Sequence, residues 1–405
     1  MLVPVRHDAG VSTALLVSAR QILRGPVTDR LVDGAVLAVD GTITAVGPRA
    51  EVAAAAPPGT EHHDHPDATL LPGLVDGHVH LALEPGRDPF RPAREDDDAT
   101  LEAAMAHAAG TLLRAGVTTV RDLGDRGYLA LRVRDAIAAG TVPGPRVLAA
   151  GAPLTPPDGH CHVLGGVVDG PVAIAERIAA HAAAGVDLIK VMASGGQTTT
   201  GGAAMWESQF DRAELALVVD EAARHGLSVA AHAHGAQAIE DAVAAGVATV
   251  EHCTWMSGPG TSDQRPEVVA EMARRGTVAC TGSSADWRRL GALIGDEQRA
   301  FDLMSRVRGL VEAGVRVVPG TDAGLTPFDG LPAALGRHRD FGFSAAEILD
   351  MATSGAADAL GLGAVTGRLA PGLAADLLVV DGDPVEDLDR LADVRMVVAV
   401  GRVAS

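Results

Sequence analysis

The chain has 405 residues, 47% of them hydrophobic and 2% aromatic, with 52 acidic against 33 basic residues and a net charge of −19. That balance excludes a surface built to wrap a phosphate backbone or to dock on anionic lipid, and the apolar fraction excludes extended disorder. The length fits two or three domains, or one barrel with an appendage. No run reaches the roughly 18 apolar residues of a spanning helix. The N-terminal sequence lacks a basic-then-apolar signal layout. Cys161, Cys253 and Cys280 are odd in number and have no C-x-x-C spacing, which argues against a disulfide framework. The expectation is a soluble, cytoplasmic protein with a small-molecule partner and neither a nucleic-acid nor a membrane partner.

In chain order, the first 70 residues read as short strands. Ala14–Arg20 and Ala35–Gly47 are apolar or alternating, with Asp40-Gly41 as a two-residue hairpin signal. From Leu71 to Leu362, strand-like and Ala-rich helical segments alternate; Gln298–Ala313 is the helical stretch before the last strand, and Ser344–Leu360 is a single segment after it. The strands are Leu74–Leu81, Val117–Asp122, Arg146–Ala150, Leu188–Ala193, Ser228–His232, Thr249–His252, Thr277–Thr281 and Arg316–Thr321. Eight βα units in about 290 residues are the arithmetic of a (β/α)8 barrel. Ala-Gly-Val recurs at 115–117, 184–186, 245–247 and 313–315, marking helix ends that feed the next strand. Ala375–Val380, Asp381-Gly382 and Met396–Val403 read as strand, turn and strand. The expected fold is α/β: a TIM barrel over 71–362 with a small composite β-sandwich from 1–70 and 363–405.

Active groups of such a barrel sit at the C-terminal strand ends. There the chain places Asp76-Gly77-His78-Val79-His80, Lys190, His232-Ala233-His234, Glu251-His252 and Gly320-Thr321-Asp322. His78 and His80, two apart on a strand, face one side and can share a metal. An ordinary half-exposed pair is the competing reading, and three further ligand types at later strand ends weigh against it. Lys190 is the only lysine in the chain, since the other 32 basic residues are arginine. Apolar neighbours favour its neutral amine. A neutral amine adds CO2 to form a carbamate that can bridge two cations, a reaction closed to arginine. His232 and His252 end adjacent strands and suit a second metal, and Asp322 suits the first. His234 suits a substrate contact or an outer group, with a plain loop histidine as the alternative.

The motifs LPGLVDGHVHL (71–81), TTVRDLG (118–124), DLIKVMASGG (187–196), VAAHAHG (229–235), VEHCTWM (250–256) and PGTDAG (319–324) resemble the amidohydrolase superfamily of metal-dependent hydrolases. Within it the chain is similar to the branch of imidazolonepropionase-like proteins and Xaa-Pro dipeptidases. The resemblance spans nearly the whole chain. It implies two divalent metals, usually zinc, with His78, His80 and Asp322 on the more buried ion and His232 and His252 on the other. Carboxylated Lys190 and a hydroxide would bridge them. It also implies a substrate-contacting histidine after the third strand, where His160 is the match. Some members carry tyrosine where this chain has His234, which opens the substrate contact rather than the metal set. Relatives often form homo-oligomers.

The implied reaction is hydrolysis of an amide-type C–N bond, as in a dipeptide or N-acyl amino acid, with Asp322 shuttling the proton. The same centre would serve cyclic amides, carbamates, aryl-ureas or phosphotriesters. A mononuclear deaminase and a non-catalytic scaffold are the other classes. Deaminases of this fold usually lack the lysine and place a glutamate shortly after the fifth-strand histidine, where this chain has Ala-His-Gly. Scaffolds have lost ligands that are all present here. The loops after strands three, four and seven are the expected lids, among them Gly195–Gln209. Trp206, Trp255 and Trp287 fall in strand-end loops and are candidates to line the pocket, with packing as lid residues the competing reading, and Arg288 and Arg289 are candidates to clamp a carboxylate. The Glu95–Asp98 run is expected to serve a helix N-terminus.

Overall fold

A computed structural model describes residues 13–199, 201–281 and 287–404. The chain starts with four strands, β1 (Ala14–Leu23), β2 (Arg30–Val39), β3 (Thr42–Pro48) and β4 (Glu61–Pro72). Asp40 and Gly41 both have positive φ, 49° and 77°, as the tight turn between β2 and β3 requires.

The middle of the chain supplies two parallel arcs. One contains β5 (Leu74–Val79), β6 (Val117–Asp122) and β7 (Arg146–Ala149). The other contains β8 (Leu188–Met192), β9 (Ser228–Gly235), β10 (Thr249–Gly258), β12 (Val278–Thr281) and β13 (Val317–Pro319), with the two-residue β11 (Thr261–Ser262) paired to β10. Parallel bridges at Val79–Ala323 and Leu154–Val191 join the arcs at both seams. All eight strands expected from the sequence are present. Their buried runs, such as Leu-Ile-Lys-Val-Met, suit a parallel sheet covered on both faces.

Helices follow the strands and pack their apolar faces outside the arcs, with Leu101, Met105 and Leu112 among the most buried side chains. Their ends are written locally. Asp97 caps Asp98–Arg114 by accepting from the Thr100 amide at 2.8 Å, the role expected of the acidic run. Reciprocal capping boxes start Arg212–Arg224 (Asp211 with Glu214) and Ala345–Ala352 (Ser344 with Glu347). The Ala-Gly-Val glycines Gly116, Gly185, Gly246 and Gly314 all hold φ between 86° and 93°, so each turns a helix end toward a strand.

The C-terminal strands β14 (Leu377–Asp381), β15 (Val394–Ala399) and β16 (Arg402–Val403) join β1–β4 in one seven-stranded sheet, ordered β16-β15-β14-β4-β1-β2-β3. The sheet curls back on itself. The Ile43 amide donates to the Leu373 carbonyl, and the Gly372 amide to the Ile43 carbonyl, both at 2.8 Å. The curl encloses a second core of Val17, Ile22, Val36, Leu70, Leu377 and Val398.

Three local expectations change. The Asp381-Gly382 pair does not close a tight hairpin, because a 3-10 turn (Leu388–Ala392) intervenes; the tight turn is Val400-Gly401. The segment 344–360 is two helices, broken at Thr353, whose hydroxyl bonds back to the Leu349 carbonyl at 2.6 Å. The segment 298–313 is likewise divided at Ser305. No helix among the described residues is long and apolar enough to cross a membrane.

Candidate metal centre

The seam between the first and last barrel strands sets the first group. The Asp322 amide donates to the His78 carbonyl at 2.8 Å and the His80 amide to the Ala323 carbonyl at 2.7 Å. Buried Asp76 ties the same seam from below, accepting from the Thr321 amide (3.0 Å), the Thr321 hydroxyl (2.6 Å) and the His78 amide (3.2 Å). As a result His78 Nε2 and His80 Nε2 lie 3.3 Å apart, and Asp322 Oδ1 is 3.5 Å and 3.4 Å from them. Asp322 itself sits at φ 56°, off the extended path, so its side chain turns inward at the strand end.

The second group comes from β9 and β10, which pair so that Glu251 lies opposite His232. His232, His234 and His252 bring ligand atoms within 4.8 Å of one another. The His234 and His252 rings stack at 4.3 Å, and His232 stands edge-on to both. Neighbouring residues of a regular strand face opposite sides, yet Glu251 and His252 both reach the interior. The reason is local: His252 and Cys253 have φ of 66° and 53°, and the register of β10 on β9 shifts beyond His252. Left-handed non-glycine residues of this kind collect at functional sites.

Burial dominates the electrostatics. It pushes His78 and His160 down to about 4 and His234 to about 3, and it holds His232 and His252 well below the usual imidazole range. These rings are therefore neutral and offer lone pairs. Burial also lowers Lys190. For Asp322 burial works in the raising direction, but His78, His80 and Lys190 overcome it and hold the carboxylate well below its ordinary range. Lys190 Nζ and Asp322 Oδ1 are among the buried side-chain atoms that have no hydrogen-bond partner. Orphaned polar atoms are rare in a native interior. Here they border neutral imidazoles and an ionised carboxylate, a donor set that fits divalent metal.

Residues 69–404 match the amidohydrolase family. The chain belongs to the amidohydrolase family. It is 29% identical over 358 residues to ochratoxinase of Aspergillus niger, covering 80% of this chain and 72% of that one. It is also 29% identical over 386 residues to imidazolonepropionase of Chromobacterium violaceum, covering 86% and 85%. A solved Xaa-Pro dipeptidase with bound methionine in its active site superposes with a TM-score of 0.83 at 26% identity, over 96% of this chain and 99% of that one. Family and relatives make this amidohydrolase an enzyme acting on amide-type C–N bonds, with side chains able to bind a divalent metal.

The clusters open into a cavity of about 1620 Å³. His160 and His234 both line it. His160 is held by Thr199, whose hydroxyl is 2.9 Å from Nδ1, and by Gln209, which accepts from its amide at 2.8 Å. Its ring packs 4.7 Å from His232. The Gly195–Gln209 loop is thus engaged with the site, and it closes on itself through the Gly195 amide and the Glu207 carbonyl. The tryptophan expectation is overturned, since none of the three lines the amidohydrolase cavity. Trp255 is fully buried in the main core, Trp206 packs its backbone against Gly235, and Trp287 meets Phe301 edge-to-face and donates to Asp340. Arg288 is no free clamp, because Asp340 already pairs with it at 2.9 Å. The Arg289 side chain and loop residues 282–286, part of the expected lid after the seventh strand, lie outside the described residues.

Sequence reasoning noted Glu251 at its strand end without giving it a part. It is fully buried beside Arg121 and His78. Burial tends to raise its carboxyl, but Arg121 and His78 hold it well below the usual range.

Proposed function

We propose that this amidohydrolase cleaves the amide bond of a dipeptide or N-acyl amino acid at a pair of divalent metals, with zinc as the expected ion. His78, His80 and Asp322 would hold one ion, and His232 and His252 the other. Lys190 would bridge them as its carbamate, formed when the neutral amine adds CO2 and releases one proton. The observation that carries this reading is Lys190 Nζ, buried without a hydrogen-bond partner in a cavity that His78, His80 and Asp322 and also His232 and His252 line.

When bound, such ions supply Lewis acidity and bring the pKa of a coordinated water toward neutrality. The residues of the chain do the rest. Asp322, held ionised by His78, His80 and Lys190, accepts the proton of the attacking water and delivers it to the leaving nitrogen. His160 and His234, neutral and facing the cavity, contact the acyl or carboxylate part of the substrate. Thr199 holds the His160 ring through Nδ1, and Gln209 anchors the His160 backbone amide. An amino-acid leaving group is supported by the Xaa-Pro dipeptidase neighbour, which carries methionine in its active site. The cavity of about 1620 Å³ exceeds the roughly 300–1,000 Å³ of ordinary ligand sites, so bulky acyl groups fit.

The test is zinc-loaded enzyme incubated with dipeptides, N-acyl amino acids, cyclic amides, carbamates and phosphotriesters, with released amine, alcohol or acid as readout. Turnover concentrated on the first two classes supports the reading. Turnover confined to any of the others overturns the substrate class while leaving the centre in place.

A further inference from the structure

Beneath the two clusters lies a buried ion pair that the hydrolytic steps do not use. Glu251 is 0% exposed and Arg121 3%. Arg121 Nη2 donates to Glu251 Oε1 at 2.8 Å, Nη1 to the Thr249 hydroxyl at 3.0 Å, and Nε to the Gly77 carbonyl at 2.8 Å. The Thr249 hydroxyl closes on the same Oε1. The other oxygen, Oε2, lies 3.0 Å from His78 Nδ1. A pair this buried is weak evidence for stability, since desolvation cancels most of the attraction. It needs another account.

His78 supplies one. Its Nδ1 faces Glu251 while its Nε2 faces His80 and Asp322. An ionised carboxylate only accepts, so the proton of neutral His78 sits on Nδ1 and the lone pair on Nε2. Three of the other imidazoles find neutral partners: His80 Nδ1 the Gly124 carbonyl, His232 Nε2 the Gly195 carbonyl and His234 Nδ1 the Thr254 hydroxyl. Among the described residues, His78 is the one cluster histidine whose outer nitrogen meets a carboxylate that no cluster ligand shares.

We propose that Glu251 is a positioning residue which, held by Arg121 and Thr249, fixes the tautomer and orientation of His78 and strengthens Nε2 as a metal ligand. The inference rests on the metal reading of the site. Carboxylate partners of this kind typically matter 10–100-fold in metal affinity, in order-of-magnitude terms.

The test uses chelator competition on the zinc-loaded full chain, the visible spectrum of the cobalt(II)-substituted protein, and thermal unfolding of the metal-free protein. Glu251→Gln should lose about 10–100-fold in affinity, and it leaves Arg121 as an unpaired buried charge, so the metal-free melting temperature falls as well. The double variant Glu251→Met, Arg121→Met removes both charges. Its metal-free melting temperature should return to wild type while the affinity loss and an altered cobalt spectrum persist. Recovery of wild-type affinity together with stability overturns the proposal, because the pair is then structural only. Where the double variant fails to fold, the cobalt spectrum of Glu251→Gln at saturating metal decides: altered supports the role, and wild-type refutes it. His78→Asn separates the two layers. If it leaves metal affinity unchanged, the metal reading itself fails; if it loses metal while both Glu251 variants keep wild-type affinity, only the positioning role fails.

Discussion

Replacing Lys190 with methionine should make the metal-free protein more stable while abolishing turnover. Lys190 is 1% exposed and its Nζ has no hydrogen-bond partner. A buried polar group left unsatisfied costs about 1–3 kcal/mol. Methionine keeps a flexible unbranched stem without the amine, and its slightly smaller volume returns up to about 1 kcal/mol as a small void. The net gain is about 1–2 kcal/mol. An unfolding entropy of about 2.1 cal/mol/K per residue over 405 residues gives about 0.85 kcal/mol/K, so the melting temperature rises by about 1–2 °C. Calorimetry at one scan rate on chelator-treated wild type and variant reads this directly. Adding zinc should reverse the order, because only the wild type gains stability from tight binding. A metal-free variant that melts below the metal-free wild type refutes the reasoning, since the amine would then be stabilising the fold.

Asp322→Asn should lower kcat by about 10²–10⁴-fold, the usual worth of a positioned proton shuttle; steady-state kinetics at full metal loading checks this, and near wild-type kcat sinks the role. Lys190→Ala should lose turnover, and small carboxylates such as acetate should restore part of it. Lys190→Arg should be as inactive as Lys190→Ala, and two retained metals in the arginine variant would contradict the carbamate. In Gly196→Ala the new Cβ would lie 2.3 Å from the Cε1 and Nε2 atoms of His160, so the ring must move. The expected result is a fall in kcat/KM of about 10–100-fold with unchanged metal content, and an unchanged kcat/KM would remove His160 from substrate contact.

The barrel was legible because its strands are short buried apolar runs punctuated by Ala-Gly-Val, and these three residues dictate a left-handed turn wherever they recur. The cluster residues were legible because strand ends converge in such a fold, and His78, His80 and Asp322 meet across a seam that closes as topology requires. Glu251 was harder. Regular alternation sends it and His252 to opposite faces, and nothing in the sequence Val-Glu-His-Cys announces the left-handed residues that bring both inward. The tryptophans failed for a related reason: a loop position says nothing of which way a side chain turns, and Trp255, at φ 58°, turns into the core. The break at Thr353 depends on its hydroxyl choosing a backbone carbonyl over solvent, a choice that helical periodicity does not encode.

The most direct measurement of the central claim is metal content per chain, by elemental analysis of zinc-loaded, desalted wild type beside Lys190→Ala. The wild type should hold two ions per chain and the variant fewer than two. Two ions retained without Lys190, or a wild type that never exceeds one, would contradict that claim.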